Sequence, residues 1–159
     1  PGAPAAADVA RARGLFARFL DLPPGADPAD EGRLPADAFQ NLRFKLVPSI
    51  VEGPWICQRA VKNKPAILGQ KITQRYFRTE HYLEVDLDIG SSVVADKIVG
   101  LCRGYAVNLV VDIGITLEGQ TGAELPEVLL AATRMARVDL ALAAPLRPPD
   151  EGEGEGEEG

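Results

Sequence analysis

The 159-residue chain is poor in the residues that carry most enzymatic and metal-binding chemistry. It has one histidine (His81), one tryptophan (Trp55) and two cysteines, Cys57 and Cys102. The cysteines stand in neither a C-x-x-C nor a C-x₂₋₄-C spacing, which argues against a disulfide scaffold and suits a reducing compartment. A single histidine leaves no second imidazole to share a metal. The chain also lacks a long apolar run. Its most apolar stretch, Ile98 to Leu117, is interrupted by Arg103, Asn108 and Asp112 and falls short of the roughly 20 apolar residues of a membrane span. No charged n-region followed by an apolar h-region opens the sequence. It starts with Pro1 rather than Met, which leads to the expectation that an upstream part is absent.

What is present fits one soluble domain with a modest core: 46% apolar and 25% charged residues. The net charge of −6 hides an uneven distribution. The last ten residues, DEGEGEGEEG, hold six acids and no base, so the remainder is near neutrality. Within residues 43–83, eight basic residues (Arg43, Lys45, Arg59, Lys62, Lys64, Lys71, Arg75, Arg78) face only Glu52 and Glu80. A basic middle within an acidic chain points to an anionic partner.

Along the chain, residues 1–14 read as a tail, and Leu15, Phe16, Phe19 and Leu20 as a short amphipathic helix. Residues 21–37 are loop by composition, a surface insertion, and residues 38–41 suit one helical turn. Phe44–Val47 and Ile50-Val51 read as strand, with Pro48 marking an edge, bend or bulge. Trp55–Val61 alternates and is predicted as a second strand. Ala66–Phe77 is the third, bent at Gly69, and a turn at Thr79–His81 leads into Tyr82–Ile89. In that last strand Leu83, Val85, Leu87 and Ile89 face one way and Glu84, Asp86 and Asp88 the other. Ser92 is placed to cap a helix over about 92–106, with Val94, Ile98, Leu101, Cys102 and Tyr105 on one face and Gly100-x-x-x-Gly104 suited to close approach. Residues 108–118 return to strand composition. Thr121-x-x-Glu124 matches a capping box, predicting a second helix to about Asp139. An acidic Glu/Gly tail, read as disordered, closes the chain over 141–159. The predicted architecture is α+β: an antiparallel meander with two helices packed on one face.

The catalytic candidates are weak. Glu84, Asp86 and Asp88 could bind a cation, but same-face neighbours roughly 6.5–7 Å apart read better as a solvated row neutralised by Lys71 and Arg75 across the hairpin. Cys102, on the buried helix face, reads as a small core residue rather than half of a Cys–His pair. Ser91-Ser92 suits a helix cap and lacks a G-x-S-x-G setting. Gly69-Gln70-Lys71 lacks the glycine and hydroxyl of a phosphate loop. No catalytic residue, metal or cofactor is expected. Basic residues beside aromatic rings are the more informative feature. Trp55, Arg59, Lys62, Lys64, Lys71, Arg75, Tyr76 and Arg78 are the candidates for contact with an anionic headgroup, each charge contributing about 1 kcal/mol near an anionic leaflet. Nucleic acid is disfavoured, since the chain has neither a recognised motif nor an overall basic character.

Many ordered segments carry a family resemblance: Arg43–Leu46 with Pro48, Val51–Ile56, Arg59–Val61, Asn63–Ala66, Leu68–Lys71, Gln74–Arg78, Tyr82–Asp86, Asp88–Ser92, Gly104-Tyr105, Leu109–Asp112, and Thr121 with Glu124–Glu127 and Leu129-Leu130. Over about residues 38–140 the chain closely resembles the C-terminal domain of the plant Enhanced Disease Resistance 2 proteins. That domain extends further upstream, so the chain is expected to be part of it. The resemblance implies membrane-associated proteins that carry pleckstrin-homology and START-type lipid-binding domains and restrain defence-related cell death. It brings no catalytic residues with it. Two main expectations follow. One is a non-enzymatic, lipid- or membrane-associated regulatory domain, cytoplasmic and peripheral on membranes, with its apolar interior a candidate site for an acyl chain. The other is a protein-interaction module whose basic face binds an acidic partner, the Glu-rich tail included. An uncharacterised hydrolase ranks third.

Overall fold

The computed structural model describes residues 5–20 and 35–144. Of the stretch read as an insertion, only 35–37 are described; of the tail read over 141–159, residues 141–144 are described, beginning in the 3₁₀ turn Leu140–Leu142, and 145–159 lie outside the described residues. The first helix, α1 (Ala6–Leu20), is longer than its apolar period suggested. Ala and Arg are strong helix formers, and Asp8 in the first turn and Arg18 in the last complement the helix dipole. Leu15 and Phe19, one turn apart, are its buried residues. A short helix, α2 (Pro35–Asn41), opens on a proline, the residue best tolerated in a first turn.

The main sheet is antiparallel, in the order β2-β1-β5-β6. Its strands are β1 (Phe44–Glu52), β2 (Ala66–Ile67), β5 (Val110–Leu117) and β6 (Leu129–Ala136). The hairpin of β3 (Thr73–Arg78) and β4 (Leu83–Asp88) forms a separate two-stranded sheet. Strand β1 runs through Pro48, opposite Ile113. Strand β2 pairs only Lys45 and Leu46, so beyond that point β1 has an open edge, where a proline is tolerated. The expected bend at Gly69 appears as a 3₁₀ turn, Leu68–Gln70, between β2 and β3. A Cβ on Gly69 would fall on the Asn41 backbone, so only glycine lets these two segments touch.

Two predicted elements change type. Trp55–Val61 is a helix, α3, not a strand. Pro54 fixes the backbone just ahead of it, and Cys57 and Val61, one turn apart, both meet the core. The alternation of WICQRAV is short enough to satisfy either period. Residues 121–139 form no second helix; they supply a loop and β6. Leu129–Ala136 has helix-forming composition, yet it pairs with β5 from Val110↔Ala136 to Thr116↔Leu129. An edge strand on a sheet already in place outweighs the local propensity. The helix predicted at 92–106 is present as α4 (Val93–Gly104), with the Ser92 hydroxyl accepting from Ala95 N–H at 3.4 Å. Leu101 and Cys102 pack inward, but Val94 is exposed and the space at Gly100 and Gly104 is open, so the expected close approach does not occur. The architecture is nonetheless α+β with antiparallel sheets.

One face of the main sheet carries two separate cores. Leu15, Phe19, Phe44 and Leu117, with Phe39, Tyr76, Leu83 and Val85, close the end where β1 begins. Ile50, Cys57 and Leu109, with Val61, Leu101, Cys102 and Val111, close the other.

Candidate functional site

The second core presents an exposed strip of cation and aromatic ring. Trp55 and Arg59 are one turn apart on the side of α3 opposite Cys57 and Val61; Lys62 caps the helix and Lys64 follows. Trp55 is 70% exposed, an unusual position for the most apolar-rich side chain of the sequence. The turn that carries the lysines is fixed rather than loose. Lys62 and Asn63 adopt left-handed backbone (φ 59° and 46°), and Asn63 Oδ1 accepts from Ile50 N–H at 2.9 Å. Gly53, at φ 150°, sets the entry; a Cβ there would strike Leu109.

The remaining candidates belong to the other sheet and do not all face solvent. Lys71 lies before β3, and Arg75 and Arg78 are exposed on it. Tyr76 points inward: its ring meets Phe19 edge-on at 6.2 Å and its hydroxyl bonds Asn41 and Gln74 at 3.0 Å. The basic middle is therefore divided between two elements. Among the described residues, none of Arg59, Lys62, Lys64, Lys71, Arg75 and Arg78 has a carboxylate within 4.0 Å. On the hairpin, Arg75 stands opposite Asp86, with Phe77 opposite Glu84 and Thr73 opposite Asp88, but Lys71 lies outside β3 and the expected neutralisation of the acidic row forms no ion pair among the described residues. Asp88 is occupied locally, accepting from Ser91 N–H at 3.2 Å. No group of three or more His, Cys, Asp or Glu residues among those described is arranged to hold a metal. His81 sits exposed in the hairpin turn, where Thr79 Oγ1 accepts from the N–H groups of His81 and Tyr82. Cys102 contacts Cys57; burial and that neighbour push its thiol up from the ordinary value, the opposite of an activated nucleophile.

Two of the eight basic residues have a different role. Arg43 and Lys45 lie at the first core with their charges paired. The Glu124 carboxylate accepts from Gln120 N–H at 2.9 Å, Arg18 at 3.0 Å and Arg43 at 3.3 Å. The Gln120 N–H leads in holding that carboxyl below the usual range; the two guanidinium groups overcome what burial would do. Phe39 stacks against both arginines, 3.8 Å from Arg43 and 4.9 Å from Arg18. Lys45 bonds Glu118 and, at 2.6 Å, Glu127, whose carboxylate also accepts from Gly119 N–H. Burial alone would lower the Lys45 ammonium, but the two carboxylates raise it; burial would raise Glu127, but Lys45 and Gly119 lower it. The capping-box reading located Glu124 correctly as an acceptor of backbone N–H but assigned it to the wrong structure. Opposite charges in the RFKL and ELPE segments were the available signal for this contact.

The gap outlined at the first core is too small for a lipid chain. The gap between α1 and the 124–130 segment measures about 10 Å³, the space of a single water. A hollow of about 420 Å³ lies on the opposite face of the sheet, over Val47, Ser49, Gly114 and Ala132, with the Asp112–Arg134 ion pair at its rim. It is an open surface, not a cavity.

Comparison with known proteins identifies the family that the sequence motifs suggested. The family model for the C-terminal region of Enhanced Disease Resistance 2 matches residues 10–139. The chain belongs to this family. A relative from Arabidopsis thaliana, Protein Enhanced Disease Resistance 2-like, is 41% identical over 129 residues. The match covers 81% of this chain and 16% of that protein, so the chain spans a small part of its relative's length. No solved structure matches. The family match begins inside α1, upstream of the segments that first suggested it, and α1 is the helix whose Arg18 reaches Glu124.

Proposed function

We propose that this member of the family is a non-enzymatic, membrane-associated regulatory domain that meets anionic headgroups through the α3 strip: Trp55, Arg59, Lys62 and Lys64. The observation that carries this reading is an exposed tryptophan beside three solvent-facing cations without carboxylate partners among the described residues, on a turn whose backbone is fixed. Trp suits the depth of the headgroups, and each cation adds about 1 kcal/mol near an anionic surface. Contact is peripheral, since no described helix is long and apolar enough to cross a membrane. Lys71, Arg75 and Arg78 on the hairpin would add long-range attraction. The test is co-flotation with phosphatidylserine vesicles at low and high salt, against neutral vesicles. Binding that requires anionic lipid and fades with salt supports the reading; no binding under any condition overturns it and leaves the strip to an acidic protein partner.

A further inference from the structure

We propose that Cys57 and Cys102 form an oxidative modification site, in which a peroxide converts the two thiols to a disulfide tying α3 to α4. The inference stands on packing and is independent of whether membranes bind. The two residues lie far apart in sequence, on different helices, yet both belong to the second core, where Cys102 packs against the cluster that holds Cys57. They are also unequal. Cys57 is 0% exposed, whereas Cys102 is half-buried and can be reached from solvent. Helix α4 has no fully buried residue, so it has freedom to adjust to a bond that Cys57, fixed in the core, could not reach for itself.

The chemistry balances with peroxide as the oxidant. The Cys102 thiol gives up its proton and its sulfur attacks one peroxide oxygen; the O–O bond breaks and hydroxide leaves, taking up that proton as water. Cys102 is now a sulfenic acid, oxidised by two electrons. Cys57 sulfur then attacks Cys102 sulfur and displaces its hydroxyl, which leaves as water with the Cys57 proton. Two thiols and one peroxide become one disulfide and two waters. The raised Cys102 thiol makes the first step slow, so the pair stays reduced until peroxide is abundant. Ile50, Leu109, Val61 and Leu101 around it would then shield the product from thiol reductants.

The test treats the full chain with hydrogen peroxide, then reads intact mass, free thiols, a peptide map without reductant, and Tm. The expected result is one Cys57–Cys102 bond within each chain, reversed by dithiothreitol, with Tm raised by about 5–10 °C. Sulfinic acid on Cys102 with Cys57 still free, disulfides only between chains, or no reaction would each overturn the proposal. Two variants separate chemistry from folding. In Cys57→Ala, Cys102 should over-oxidise with no gain in Tm; in Cys102→Ser, Cys57 should stay a free thiol. A peroxide-dependent rise in Tm surviving in either variant would contradict the proposed bond.

Discussion

The two ends of the main sheet use the same basic residue types for opposite purposes. Where β1 begins, Arg43 is buried against Glu124 and Lys45 is half-buried against Glu118 and Glu127, and their charge is consumed in joining α1, β1 and the 118–128 segment. Where β1 ends, Arg59, Lys62 and Lys64 stand in solvent beside an exposed Trp55 and meet no carboxylate among the described residues. Burying a charge is costly unless it is partnered, so the first set is explained by folding alone. An exposed, unpartnered charge contributes little to stability, so the second set is free to serve a partner. The difference between them is a matter of position, not of composition.

The sharpest way to break this contrast is to remove a partner at the buried end. Glu124→Ala leaves Arg43 buried without its carboxylate and should cost about 3–5 kcal/mol in denaturant unfolding. A loss below 1 kcal/mol would mean the network is decorative. Next in size is Gly69→Ala, whose methyl meets the Asn41 backbone; about 1–3 kcal/mol is expected, read the same way.

Acidity sharpens the comparison further. The carboxyl groups of Glu124 and Glu127 are held below their ordinary 4.5, so in the unfolded chain they take up protons more readily than in the native one. Their contribution is complete above that value and is lost as pH falls through the lowered native values. Stability should therefore drop below about pH 4.5, and Glu124→Gln should flatten part of that slope in urea titrations at stepped pH. Reversing Arg59, Lys62 and Lys64 to Glu is the opposite case. It should change stability by about 0.5 kcal/mol or less while weakening vesicle binding by roughly 100-fold. The smallest effect on stability belongs to Asp112→Ala, which removes a largely solvent-exposed ion pair with Arg134 and should leave Tm nearly unmoved in a thermal scan.

The strands and helix that follow simple periods were legible in the sequence: β1, β4 with its alternating acids, α4 with its Ser92 cap, and β5. Two elements were not, and each for a stated physical reason. Trp55–Val61 is too short for its apolar period to separate helix from strand, and Pro54 settled the matter. Leu129–Ala136 has a helix-forming composition that the open edge of β5 overrode. Of the eight basic residues in the middle of the sequence, the candidate site took six, with Trp55 and Tyr76; what the sequence did not show is where the other two are neutralised. Arg43 and Lys45 find their partners some eighty residues away, through a loop whose capping-box pattern suggested a local role for Glu124. Tyr76 alternates with Arg75 along β3, and only the core around Phe19 reveals that it faces inward.

The most direct test of the two-ended account is flotation of the Arg59→Glu/Lys62→Glu/Lys64→Glu chain beside the unaltered one, on phosphatidylserine vesicles at low salt, with circular dichroism and Tm for both. The account expects the unaltered chain to float and to be released by high salt, and the reversed chain to keep its fold and Tm but remain in solution. A reversed chain that floats equally well, or one that unfolds as Glu124→Ala is expected to, would contradict the division of charge between the two ends.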